Sequence, residues 1–275
     1  GQVANLSDLS GLDLVFYTKT NDVQKLAKAL KVDTSKFPQE LKILEANISG
    51  KGSVKSLGFD VKIKSMGGQL DAAGNATDVL GRPNFNNLIV GLNHPNLTKA
   101  IQIISPDFKG QAGLQQAINL RTQASINGKK IDLSNIAVKL GKSDFNGHLK
   151  IDTSGKVASV RGNIQAGKIA LDDLLGAKAS SKKSSGGGSG GTSSKSTSSS
   201  ARWSKSLIDL AWMNMLDVDI ALSASSLTYG AWNLTKPSVP FKISNGQMSV
   251  NDMTAGVFGG QMNLTTEVKA SPVSL

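Results

Sequence analysis

The feature that most constrains the fold is an alternation of apolar and polar residues that recurs along most of the chain. Residues 216–222 read Leu-Asp-Val-Asp-Ile-Ala-Leu, so an extended backbone places every apolar side chain except Ala221 on one face. A period of two residues is typical of β-strands with one covered face and does not fit a helix. Similar alternation is found in segments 59–64, 118–124, 136–140, 149–152, 239–243 and 262–268.

Turn sequences separate these segments at intervals of roughly eight to twelve residues. Asn-Gly dipeptides occur at positions 127–128, 146–147 and 245–246, and Asn-Gly favours the positive φ angles of tight hairpins. The sequence therefore predicts an all-β protein whose strands form a large antiparallel meander.

Two short segments break the alternation and predict helices, near residues 22–31 and 95–104. In each, apolar residues return after three or four positions, and Asp22 or Pro95 stands where a helix would begin. Each helix is followed by a connector with proline and then by new hairpins, which indicates an internal repeat of roughly seventy to eighty residues.

Residues 177–201 are rich in Ser, Gly and Lys and cannot bury apolar surface. This tract is either a linker between two domains or a disordered loop inserted in one sheet; we favour the loop, because few residues follow it. The expected organisation is repeated meander units over 1–176, the loop over 177–201, and a meander over 202–275 that continues the same sheet.

The composition excludes several classes of function. The chain has no cysteine and two histidines, too few for a zinc or thiolate site. Its net charge of +11 suggests anionic partners, but aromatic residues make up only 5% and form no base-stacking platform, so we expect no nucleic acid partner. No segment has the roughly eighteen consecutive apolar residues of a membrane span. We expect a soluble piece of a longer protein whose targeting segment is missing.

No motif predicts catalysis. The glycine run 186–191 follows no strand and opens no helix, so it is not a phosphate loop. The pairs Asp217/Asp219 and Asp172/Asp173 could contact a hard cation, but no further carboxylates surround them, and we interpret them as surface residues. The sequence predicts no enzyme, no metal and no cofactor.

A sheet with one apolar face must cover that face with a second sheet, with helices, by closing into a barrel, or with a ligand. The two predicted helices are too short to cover it. A sandwich or barrel and an open sheet occupied by lipid acyl chains therefore both remain possible from the pattern.

Several segments resemble the AsmA family of bacterial envelope proteins. The C-terminal likeness lies in Arg202-Trp203-Ser204 after the Ser/Gly tract, the Asp-alternating strand 216–220, residues 227–230 and the Gly-rich segment 255–260. Upstream, segments 93–97 and 164–175 are also similar, so the resemblance covers roughly residues 85–270.

The resemblance implies a periplasmic body of β-meanders, curved into an open hydrophobic groove and held at the inner membrane by a helix absent here. It implies phospholipid binding and transfer that support outer-membrane lipid homeostasis and biogenesis, without enzymatic activity. A scaffold that assists outer-membrane protein assembly by β-strand addition is the alternative. We predict that the groove is lined by Val61, Ile63, Leu120, Val138, Leu140, Val218, Ile220, Leu222, Leu264 and Val268.

Overall fold

The computed structural model describes residues 1–5, 9–29, 31, 42–103, 105, 108, 110, 112–175 and 211–269. The predicted loop 177–201 lies outside the described residues. The strands are β1 (Gln2–Asn5), β2 (Ser10–Thr20), β3 (Leu44–Ser53), β4 (Ser56–Ser65), β5 (Gly68–Thr77), β6 (Asn84–His94), β7 (Ile118–Asn127), β8 (Lys130–Leu140), β9 (Ser143–Asp152), β10 (Ala158–Ala170), β11 (Leu216–Tyr229), β12 (Trp232–Ser244), β13 (Gln247–Val257) and β14 (Gly260–Lys269). The helices are α1 (Val23–Ala29), α2 (Leu97–Gln102) and α3 (Leu171–Leu175), with 3₁₀ turns at Ala112–Leu114 and Ala211–Asn214.

All fourteen strands form one sheet in which the spatial order equals the order along the chain. The predicted all-β class and meander are confirmed. One pair departs from the antiparallel prediction: β10 and β11 are parallel, with Ala158 opposite Leu216 and Ala170 opposite Thr228. The chain between them must therefore return from one end of the sheet to the other, as parallel neighbours require.

The sheet is a single open layer. Among the described residues, strands contact other strands extensively only where they are neighbours in the sheet, and β1 and β14 stand at opposite edges. The sheet is neither closed nor strongly curled. The described strands form neither a sandwich nor a barrel.

The three helices lie at one end of the sheet, called here the helix-bearing end. They follow β2, β6 and β10, and the first two start 74 residues apart, at Val23 and Leu97. Side chains cap the first two: Asp22 Oδ1 accepts from Lys25 N (2.9 Å) and Asn96 Oδ1 accepts from Lys99 N (3.1 Å). Four strands follow each of α1 and α2, and four more follow the 3₁₀ turn Ala211–Asn214, which lies at the far end of the sheet.

The dipeptide Asn146-Gly147 does not form the predicted hairpin turn. It lies inside β9, opposite Gln165 and Ile164 of β10. A side chain at position 147 would collide with the carbonyl oxygen of Asn163. This glycine permits close approach of the two backbones, which explains why a turn signal occurs within a strand.

Candidate functional site

The strand registers place apolar side chains side by side across most of the sheet. One row runs from Ile63 on β4 through Leu70, Leu92, Leu120, Val138, Phe145 and Ala166 to Ala224 on β11. Residues directly opposite each other on neighbouring strands project from the same face. We call this side of the sheet the apolar face.

All ten residues proposed for the groove lie on the apolar face. Val61 and Leu140 stand two positions from Ile63 and Val138, and the β11 residues Val218, Ile220 and Leu222 continue from Ala224 at the same spacing. A row of residues on neighbouring strands connects β11 to β14, namely Val218, Ile243, Met248 and Val268. Leu264 lies four positions before Val268 on β14. The registers thus bring together positions that are up to two hundred residues apart in sequence.

The opposite face is charged, and we call it the polar face. Glu45 lies between Lys19 and Lys64, with N–O distances of 3.4 and 3.8 Å. Further along, a cross-strand row contains Asp132, Lys150, Arg161, Asp219 and Lys242. Exposed pairs of this kind contribute little to stability, about 0–1 kcal/mol each, but their charges favour hydration of this face.

The acidic pairs considered from the sequence lie in different surroundings. Asp219 stands between Arg161 and Lys242 in the register, and Asp172 accepts a hydrogen bond from Gly230 N (2.7 Å). Within the described ranges no group of acidic or histidine side chains could hold a metal ion.

Asp152 on the polar face shows the clearest electrostatic perturbation. Hydrogen bonds from the Ser154 side chain and from Ser154 N (2.8 Å to Oδ1) hold the pKa of this carboxyl below its usual value. Replacing Ser154 with Ala removes the larger contribution, so we expect the pKa of Asp152 to rise toward the usual value. NMR titration of the Asp152 carboxyl carbon measures this; an unchanged midpoint would show that the hydroxyl is not a donor.

Protein covers the apolar face at one corner. Met213, in the 3₁₀ turn before β11, is 1% exposed and packs with Val218 and Ile243. Leu216, Ile220, Phe241 and Met248 surround this cluster. Met213 could not be predicted from the sequence, because a single methionine outside any periodic segment carries no signal for its position.

Elsewhere the cover over the apolar face is uneven in the described part of the chain. At the helix-bearing end His94, Ile118 and Leu140, which are opposite one another on β6, β7 and β8, are at most 9% exposed. The described helical elements make few contacts with the strands, the most numerous being those of α3 and the turn Ala211–Asn214 with β11 to β13. Large apolar side chains on this face therefore remain exposed to solvent, among them Phe16, Ile48, Leu70 and Leu264. Phe16 and Ile48 are opposite each other on β2 and β3, and adjacent exposed apolar side chains indicate a candidate interaction site.

A shallow pocket on the polar face offers no comparable site. It lies near the β4–β5 turn and is lined by Glu45, Lys64, Gln69, Asp71 and other polar residues. Its carboxylates are engaged, since Asp71 accepts from Gln69 Nε2 at 2.9 and 3.0 Å and Glu45 pairs with two lysines. The arrangement leaves no pair of carboxyl groups placed for acid–base work.

Comparison with known proteins gives one family. The AsmA family profile matches residues 92–272, more than half of the chain. Neither the curated proteins nor the solved structures contain a match. None of the described helices is long and apolar enough to cross a membrane. The family match and the meander sheet agree, and the chain belongs to the AsmA family.

Proposed function

We propose that this chain binds the acyl chains of phospholipids on its apolar face and transfers them in the periplasm, in support of outer-membrane lipid homeostasis. The observation that carries the proposal is the set of large apolar side chains, Phe16, Ile48, Leu70 and Leu264, that the described part of the chain leaves exposed on that face. Membership of the envelope-associated AsmA family supports the cellular setting. Anchoring at the inner membrane by another segment belongs to the same proposal, as does the lack of enzymatic activity.

The dimensions of the face suit acyl chains. Strands β3 to β14 have ten to fourteen residues, or about 33–46 Å at ~3.3 Å per residue. The hydrocarbon core of a whole bilayer is about 30 Å thick, so one acyl chain spans about half of that. A chain lying on the face would contact several of the aligned aliphatic side chains. Each side chain it covered would contribute roughly 1.5–3 kcal/mol.

Two aspartate substitutions on the apolar face test the proposal. We expect phospholipid to co-purify with the wild-type protein and to be lost from the Val138→Asp and Leu222→Asp variants, because a carboxylate in an acyl-chain site loses its hydration. Leu222 lies outside the buried Met213 cluster. Native mass spectrometry of protein from a bacterial host measures the bound lipid.

The controls place the same carboxylate on the same strands but on the polar face. Ala137→Asp and Ala221→Asp are the neighbours of the test positions, and both alanines are exposed. They should retain lipid. Equal loss in test and control variants, or folded wild-type protein without lipid, would refute acyl-chain binding on this face.

The second candidate function is a scaffold that assists outer-membrane protein assembly by pairing an extended segment of another protein with its sheet edge. The edge at β2 favours this function. β1 pairs with Ser10–Asp13 of β2 near one edge of the sheet. Val15, Phe16 and Tyr17 on this edge are exposed, and open edges of this kind accept extended peptides. A lipid-free, folded protein in the experiment above would favour this function over transfer.

A further inference from the structure

Two hairpin tips at the helix-bearing end present an exposed aromatic cluster. Tyr229 and Trp232 flank the β11–β12 turn opposite each other, and Phe258 lies in the β13–β14 turn. They are 50%, 57% and 82% exposed. The rings of Trp232 and Phe258 contact each other with centroids 5.5 Å apart. We call these three residues the aromatic tip.

Phe258 occupies a position that backbone energetics disfavours for its residue type. Its φ is 48° and that of Gly259 is 82°, a turn in which both central residues have positive φ and Asn-Gly is the preferred sequence. Asn245-Gly246 forms such a turn in the preceding hairpin connection, between β12 and β13, with φ of 53° and 72°. A bulky residue in this region is rare and costs energy. Phe258 is also almost fully solvated, so neither turn geometry nor packing accounts for it.

The β11–β12 tip is held against the rest of the protein. Gly230 N donates to Asp172 Oδ2 of α3 at 2.7 Å, and α3 contacts both β11 and the 3₁₀ turn Ala112–Leu114. The aromatic side chains therefore project from a supported turn.

We propose that the aromatic tip docks on the surface of a lipid bilayer, with Trp232, Tyr229 and Phe258 inserted at the boundary between headgroups and acyl chains. Trp and Tyr favour this boundary because their rings are apolar and their N–H and O–H groups are polar. The turns protrude at the sheet end, and a fluid headgroup layer accepts protruding rings without a preformed pocket.

Charge near the tip is mixed. The acidic residues Asp172 and Asp173 of α3 lie at this end of the sheet, and Asp172 accepts the hydrogen bond from Gly230 N, while two lysines supply attraction to an anionic bilayer. Residues 226–236 and 254–261 contain no acidic side chain, whereas Lys236 lies on β12, four positions or about 13 Å behind Trp232. Lys168 on β10 lies at nearly the same level of the sheet as Lys236. It is opposite Ser226 of β11, and Ser226 is opposite Thr235, the residue before Lys236. Both lysines are exposed and long enough to extend along the protein toward lipid phosphates. Each basic residue near an anionic surface adds attraction.

Docking is separate from acyl-chain binding on the apolar face, since either can occur without the other.

The test measures partition of the whole chain into vesicles of phosphatidylglycerol and phosphatidylcholine in equal parts, by co-sedimentation. In the double variant Trp232→Thr with Phe258→Asn, we expect partition to fall about tenfold or more, because two inserted rings are lost. Thr suits a strand and Asn suits the positive φ at 258, so this variant should fold at least as well as the wild type.

The matched control removes exposed apolar side chains elsewhere. Val15→Thr with Leu80→Asn also changes one strand residue and one turn residue, 65% and 73% exposed, and should leave partition unchanged. An equal fall in both double variants, or no binding of wild-type protein to these vesicles, would overturn the proposal.

Tryptophan fluorescence locates the contact. The chain has three tryptophans, and lipids brominated on their acyl chains should quench part of the wild-type emission. That part should disappear in Trp232→Phe, which retains an aromatic ring and should still bind vesicles. Quenching that persists in Trp232→Phe would show that another segment makes the contact. The tip variant should keep its co-purified lipid and Leu222→Asp should keep its vesicle binding, so failure of docking and failure of lipid binding are told apart.

Discussion

Deletion of residues 176–210 is expected to abolish the pairing of β10 with β11. Because Ala170 is opposite Thr228 and Ala158 is opposite Leu216, the connection must span the length of β10, about 40 Å at ~3.3 Å per residue. Direct joining of Leu175 to Ala211 leaves too little chain. Even with α3 and the following 3₁₀ turn fully extended, the eleven steps from Ala170 to Leu216 would reach about 36–40 Å, with no length left to pass around the end of the sheet.

A shorter deletion provides the control. Removing residues 184–198 leaves a connection able to span about 70 Å, and loop entropy changes little with length, so pairing should persist. The chain has no cysteine, which allows Gln165→Cys with Ser223→Cys, opposite each other on the polar face, to report pairing as a disulfide. The bond should form in the full chain and in the shorter deletion. Its formation in the complete deletion would show that β10 and β11 are not the parallel pair described.

The strands could be predicted because alternation is local. Within residues 216–222 the pattern alone identifies the face of Val218 and Ile220, and the registers extend this face over the sheet. The direction of β11 could not be predicted, since nothing in residues 177–201 encodes at which end of the sheet the chain re-enters. The turn predicted at Asn146-Gly147 was wrong for a related reason. The local preference of the dipeptide indicated a turn, whereas the glycine is required by the closely packed backbone of the neighbouring strand.

The candidate site was predictable in part. Period-two residues such as Val138 and Leu222 could be assigned to one face, but the pattern is the same whether a second sheet or a ligand covers them. Energy does not separate these cases, because burial under either is worth similar amounts. Met213 and Phe258 lie outside periodic segments, so their positions, one buried and one exposed, follow only from the tertiary structure.

Ile243→Ala is expected to destabilise the last hairpins by about 2–5 kcal/mol, since it opens a cavity beneath Met213. Ile243 is 1% exposed and contacts Met213 and Val218 in the covered corner of the apolar face. Because strands contact mainly their neighbours in the sheet, the loss should remain local, as in repeat proteins. Native-state hydrogen exchange should show amides of β11–β13 exchanging about 30-fold faster or more, with those of β3–β6 unchanged.

Leu264→Ala is the matched control for this prediction, because Leu264 lies on the same face but is 44% exposed and outside the buried cluster. It should cost about 1 kcal/mol, since nearly half of this side chain is already solvated. Equal effects of the two substitutions would mean that Met213 does not cover this corner in solution. Faster exchange in β3–β6 upon Ile243→Ala would instead mean that the fourteen strands unfold as one cooperative unit, and that their stability is not a sum over neighbouring pairs.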